Sequence, residues 1–241
     1  SVYNLVDATV RVAVALLTMP LLIRLIGVDG YGLWSLASAV IGIVTLAEAG
    51  LSVSTTVFMA RDLGTGDSAA MSQTLVLTLG GMVIVATLAA GILWLAANPL
   101  LQFFPSLSDT QRDWAEEVLR LSAIVVWAKL LQQVLMGVEQ AYQRYDLMNA
   151  LNLLLAIITN VGIVFVAWRG GQLPAMMGWQ AVTSLVLLVA HAGITWYLLK
   201  GRLVRPRWEL RRALEIGKFS GMTWVTSVGG VLFSQFDRII V

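Results

Sequence analysis

The sequence predicts an all-α, polytopic membrane protein, and three observations carry that prediction. Charged residues make up 12% of the 241, about half the roughly 25% of an average soluble chain. Apolar residues reach 58%, and the mean hydropathy is +0.81. The apolar residues also come in blocks long enough to cross a bilayer, which takes about 20 residues of helix for a core of roughly 30 Å. A soluble chain of this length could not hide so much apolar surface.

Uncharged runs bounded by charges and breakers mark the spans in order. The first lies at about 5–26, where only twelve uncharged residues separate Arg11 from Arg24. A crossing helix must therefore carry at least one of these arginines to the headgroup zone or deeper. The second, about 31–59, holds one charge, Glu48, shortly before Gly50. Between Asp67 and Asp109 lie 41 uncharged residues, too many for one span and too few for two. Asn98-Pro99 and Pro105 divide that run into a span at about 72–97 and an irregular interfacial stretch, 98–116, with Phe103 and Phe104. The fourth, about 117–138, is interrupted by Lys129, while the fifth (about 147–168) and sixth (about 174–199) are clean apart from His191. A seventh begins near Phe219 and reaches the last residue, Val241. Between spans six and seven, 200–218 reads as a basic amphipathic linker on the inner leaflet, with Pro206 suited to a helix start.

Charge assigns the sides. The segments 60–72, 139–146 and 200–218 carry Arg61, Arg144, Lys200, Arg202, Arg205, Arg207, Arg211, Arg212 and Lys218; the opposite segments carry Arg112 and Arg169. That asymmetry predicts a multi-pass protein of the cytoplasmic membrane with a cytoplasmic N-terminus. It survives if Arg24, Arg120 and Arg238 are counted on the outer side. Tyr31, Trp34, Trp114, Tyr142, Tyr145, Trp168, Trp179 and Trp208 stand near span ends and read as interfacial belts.

The tools of an enzyme are scarce. With no Cys there are no thiol nucleophiles, disulfides or thiolate metal sites, and the single His191 offers no imidazole cluster, so no metal or cofactor is expected. No phosphate-cradling glycine loop occurs, and Gly64-Thr-Gly66 reads as a turn between spans. Glu116-Glu117, the only adjacent carboxylate pair, reads as a solvated helix start. Nothing suggests a nucleic-acid partner.

Ionisable residues inside spans are costly and line cavities or pair with one another. Asp7 and Arg11, four apart, can pair on one helix face, or Arg11 can attract an anion. Arg24 can snorkel to the outer interface or face a ligand. Glu48 and Lys129 lie at comparable depths in their spans, which suits either a buried pair or a polar cavity where Lys129 meets an anion and Glu48 a cation or proton. His191, within Val189-Ala-His-Ala-Gly193, reads as a neutral imidazole bonded to a neighbouring helix, with a proton relay as the alternative. Gly217-x-x-x-Gly221 and Gly229-Gly230 suit close helix approach or a bend, and Asn149, Asn152, Thr159 and Asn160 form a polar stripe that reads as interhelical glue or a sugar site.

Several stretches resemble a known family. Pro20-Leu-Leu-Ile-Arg-Leu-Ile-Gly27, followed by Tyr31-Gly-Leu-Trp-Ser-Leu36, is similar to the first hairpin of bacterial polysaccharide and oligosaccharide-lipid flippases. These belong to the multidrug/oligosaccharidyl-lipid/polysaccharide (MOP) exporter superfamily. Glu48-Ala-Gly-Leu51, with Arg61 and Gly66-Asp67, resembles the end of span two and its turn, and Phe236-Asp-Arg-Ile-Ile-Val241 resembles the outer end of span seven. The resemblance implies two six-span lobes around a central cavity, with this chain as an N-terminal fragment: one lobe (1–199), the linker (200–218) and the first helix of the second lobe (219–241). It implies transport by alternating access rather than enzyme activity. The cargo would be a polyprenyl-diphosphate-linked oligosaccharide, with membrane lipids and glycan polymerases as surroundings and partners. Arg11, Arg24 and Lys129 would be anion contacts and Glu48 an ion-pair or coupling group. A drug/cation antiporter or lipid II flippase of the same superfamily is the nearest alternative, and a membrane polymerase or ligase the alternative from another class.

Overall fold

The computed structural model describes residues 2–45, 50–102, 108–205 and 209–240, with side chains described from residue 18 onward except at 228 and 230–240. Every element is a helix: α1 (Val2–Thr45), α2 (Leu51–Thr65), α3 (Ser68–Leu101), α4 (Asp109–Ala141), α5 (Tyr145–Trp168), α6 (Leu173–Leu199) and α7 (Leu210–Ile240). Five of them are long and apolar enough to cross a membrane: Thr18–Thr45 of α1, then α3, α4, α5 and α6.

The breaks between helices follow from local chemistry. Inside α1, Gly27 has φ 75° and ψ 172°, a conformation open almost only to glycine, and it kinks the helix where the sequence reading ended span one. Gly50 is left-handed (φ 64°) and starts α2 afresh. The stretch read as one span over 31–59 is therefore interrupted, and α2 continues to Thr65. Gly66, also left-handed, closes α2, and the Asp67 carboxylate accepts from the Ala69 and Ala70 N–H groups at 3.1 and 3.0 Å to open α3. Ser108 and Gln111 form a capping box at the start of α4.

That box corrects two expectations. Helix α4 starts eight residues before the predicted 117, so Glu116 lies two turns in and pairs with Arg120 at 2.5 Å instead of beginning the helix. At the other side of the loop, α3 absorbs Asn98 and Pro99 and ends at Leu101. Pro99 cannot donate to the Leu95 carbonyl and its ring crowds that carbonyl, and α3 ends two residues later. Helix therefore covers 98–101 and 109–116 of the stretch predicted to be irregular. Likewise α4 runs to Ala141, placing Glu139 inside the helix rather than in a loop, and the turn to α5 is only 142–144.

Helix α4 is the hub. In its most apolar 18-residue stretch 67% is buried, against 17% for α3 and α5. The main core packs Val125, Val126, Leu130 and Val134 of α4 against Met82 of α3, Met176 and Met177 of α6, and Leu22, Ala37 and Ile41 of α1. The outward faces are apolar: Ile84, Leu88, Ile92 and Leu95 of α3 and Val182, Val186 and Val189 of α6 are exposed. Exposed apolar faces over buried Ser, Thr, Gln and Glu are what a lipid-facing bundle requires. Several hydroxyls inside donate to the carbonyl four residues back, as Thr78 does to Thr74 and Ser122 to Val118.

The glycines that admit close contacts are not those the sequence singled out. A Cβ at Gly137 would lie 2.7 Å from the Ser52 carbonyl, and one at Gly50 2.7 Å from the Ser220 carbonyl, so these two bring α2 against α4 and α7. Gly217, Gly221 and Gly229 have no heavy atom within 4 Å of such a position. Helix α7 runs as one element across the boundary drawn at 218/219.

Candidate functional site

Three helices each turn one polar stripe toward a common space. On α4 it is Lys129, Gln132, Gln133 and Met136; on α6, Gln180, Thr183, Ser184 and Leu187; both follow the spacing i, i+3, i+4, i+7 that keeps side chains on one helical face. On α5 the same phase gives Asn152, Leu155, Ala156, Thr159, Asn160 and Ile163, and α1 closes the wall with Trp34, Ser38 and Thr45. They line a half-open cavity of about 490 Å³. Trp34 is 9% exposed, so its place is in this wall and not in an interfacial belt.

Among the described lining residues Lys129 is the only ionisable one; the rest of the polar wall is amide and hydroxyl. Gln132 donates to the Ser184 carbonyl at 2.7 Å, tying α4 to α6. Asn152 reaches the Met136 sulfur at 3.4 Å, and Asn160 donates to the Ala156 carbonyl at 2.8 Å. Gln180 Oε1 is buried with no donor among the described residues. Such a wall can hold a polar guest that offers both donors and acceptors, together with an anionic group near Lys129.

The residues singled out from sequence fare differently. Lys129 lies on the wall, as do Asn152, Thr159 and Asn160 of the polar stripe. Arg24 is exposed on α1 and is not among the lining residues. Glu48 and the side chains of Asp7 and Arg11 fall outside the described residues. Gln132, Gln133 and Gln180 escaped attention, although their spacing to Lys129 and to Thr183 and Ser184 was in the sequence.

Two further polar clusters hold the bundle together. His191 Nδ1 lies 2.8 Å from Glu139 Oε1, with both side chains 0% exposed, so the expected neighbouring-helix partner of His191 is Glu139 on α4. At the basic end, Arg212 Nη2 bonds Asp62 Oδ2 and, at 2.9 Å, Thr74 Oγ1, while Thr74 donates to Asp62 at 2.8 Å. Gln73 donates to the Glu209 carbonyl at 3.1 Å, Val204 N–H to Ser72 at 3.1 Å, and Arg61 pairs with Glu215 at 3.2 Å. Nearby, burial pushes the Tyr142 phenol above its usual pKa, with the Arg202 guanidinium pulling the other way.

No curated protein and no solved structure matches the chain. The family model described as MatE matches residues 10–166, a stretch that takes in α1 to α5 and all but the α6 side of the cavity wall. Since the match spans well over half of its residues, the chain belongs to the MatE family of the MOP exporter superfamily, a family of transporters.

Proposed function

We propose that this protein is a flippase that carries polyprenyl-diphosphate-linked oligosaccharide units across the bacterial cytoplasmic membrane for surface polysaccharide assembly, by alternating access. The observation that carries the reading is the cavity: a polar chamber with Lys129 on its wall, set among helices apolar enough to cross a membrane. A diphosphate cannot enter hydrocarbon without cations to replace its water, and the Lys129 ammonium is one such group on the wall. Lys129, with Arg11 and Arg24 of α1, is the proposed set of anion contacts, and Glu48 the partner or coupling group. The charge asymmetry of the loops supports a cytoplasmic N-terminus.

The test is the leaflet distribution of lipid-linked glycans in cells lacking the complete gene. A finished oligosaccharide on polyprenyl diphosphate is expected at the inner leaflet, cleared when the gene is restored. Units that reach the outer leaflet unpolymerised would defeat the reading in favour of a membrane polymerase or ligase. In the same cells Lys129→Ala is expected to lower export roughly tenfold, the loss of one charge-assisted hydrogen bond, while the protein still accumulates. If Lys129→Ala and Glu48→Gln each abolish accumulation and the double variant restores it, the pair is structural.

A further inference from the structure

We infer that the cavity between α1, α4, α5 and α6 receives uncharged sugar residues of the cargo, with Asn152, Asn160 and Gln180 deciding which sugars fit. The inference rests on the flippase reading above and assigns that cargo's sugar end, as distinct from its diphosphate, to this wall.

The chemistry of the wall selects among the parts of such a cargo. Two phosphates are best met by several guanidinium or ammonium groups, and the described wall offers one, Lys129. A polyprenyl tail would need an apolar wall. Sugar hydroxyls, which donate and accept, are matched by primary amides, which do both in one plane. Here amides come from three helices, so they surround a guest instead of meeting it from one side.

The hydroxyls are prepared as acceptors. Ser38 donates to the Trp34 carbonyl at 2.9 Å, Thr159 to the Leu155 carbonyl at 2.7 Å and Thr183 to the Trp179 carbonyl at 3.1 Å. With their protons engaged within their own helices, their lone pairs remain for a guest. Gln180 Oε1 is the sharpest pointer, because a buried amide oxygen without a donor is costly and a sugar hydroxyl would supply one. Gln132 is left out of the readers because its amide ties α4 to α6 through the Ser184 carbonyl, so that losing it would also loosen the wall. The volume of about 490 Å³ suits a small polar head.

The test uses the full-length purified protein and two probes: the glycolipid that accumulates in cells lacking the gene, and the same polyprenyl diphosphate with its sugars removed. The parent is expected to bind the glycolipid more tightly than the bare carrier. Asn160→Leu/Gln180→Leu should weaken glycolipid binding about tenfold or more, as expected for losing two neutral hydrogen bonds, and leave bare-carrier binding unchanged. Equal weakening of both probes, or of neither, overturns the inference, as does a parent that does not distinguish them or a glycan without uncharged sugars. If the double variant does not accumulate, the single variants Asn152→Ala, Asn160→Ala and Gln180→Ala read the same ratio. Failure of the flippase reading looks different: no glycolipid accumulates at the inner leaflet, or the parent binds neither probe.

Discussion

Glu139 and His191 show how much a single partner decides inside an apolar bundle. Each alone would be a stranded polar group in a site closed to solvent; together, 2.8 Å apart, they bridge α4 and α6. Removing one leaves the other buried without a counterpart, so Glu139→Ala should cost about 3 kcal/mol, seen as a lower melting temperature in detergent. Glu139→Met/His191→Leu, which removes both polar groups, should recover most of the loss; a single variant that melts like the parent would refute a structural pair. Sequence showed that His191 needed a partner, but the partner lies 52 residues away and had been placed in a loop. Lys129 and the α5 amides were legible because charge inside a span and amides in helical phase stand out. Gln180 was not, because one glutamine near a span end has no signature until the facing helices are placed.

Among the elements, the joint between α7 and the α2–α3 hairpin is built around Asp62, Thr74 and Arg212, with the Asp62 side chain 3% and the Arg212 side chain 15% exposed. Arg212→Ala should leave the Asp62 carboxylate uncompensated and weaken the joint by about 3 kcal/mol. Faster hydrogen exchange confined to 200–216 would register it, and an unchanged exchange profile would refute it. The exchanged pair Asp62→Arg/Arg212→Asp should restore part of the protection. Hydropathy located most helices because lipid demands long apolar runs, yet it misjudged their ends. Caps settle ends, and the Ser108–Gln111 box was in the sequence, unread beside the louder signal of Pro99 and Pro105. The Gly50 break was hidden for another reason: its left-handed backbone and its contact with Ser220 depend on α7, far along the chain.

At the scale of the whole molecule, alternating spans put the turns 66–67 and 142–144 and residues 200–205 at one end and Gln102, Ser108 and 169–172 at the other. The absence of cysteine makes the proposed orientation directly testable. Gln143→Cys and Arg205→Cys should resist a membrane-impermeant maleimide in intact cells, and Gln102→Cys and Gln172→Cys should react; the reverse pattern would invert the topology. Helix α7 adds a mechanical consequence. Its 31 residues without a break make a rod of roughly 46 Å at 1.5 Å per residue. Among the described side chains, the rod is gripped by α2 along one short stretch, through Arg212 on Asp62, Phe219 edge-on to Phe58 at 5.7 Å and Ser220 on Ser54 at 2.7 Å. A rod held near one end is a lever with its fulcrum on α2. A small tilt at the grip is magnified toward Ile240, so a slight slip of α2 against α4 becomes a wide swing at the far tip.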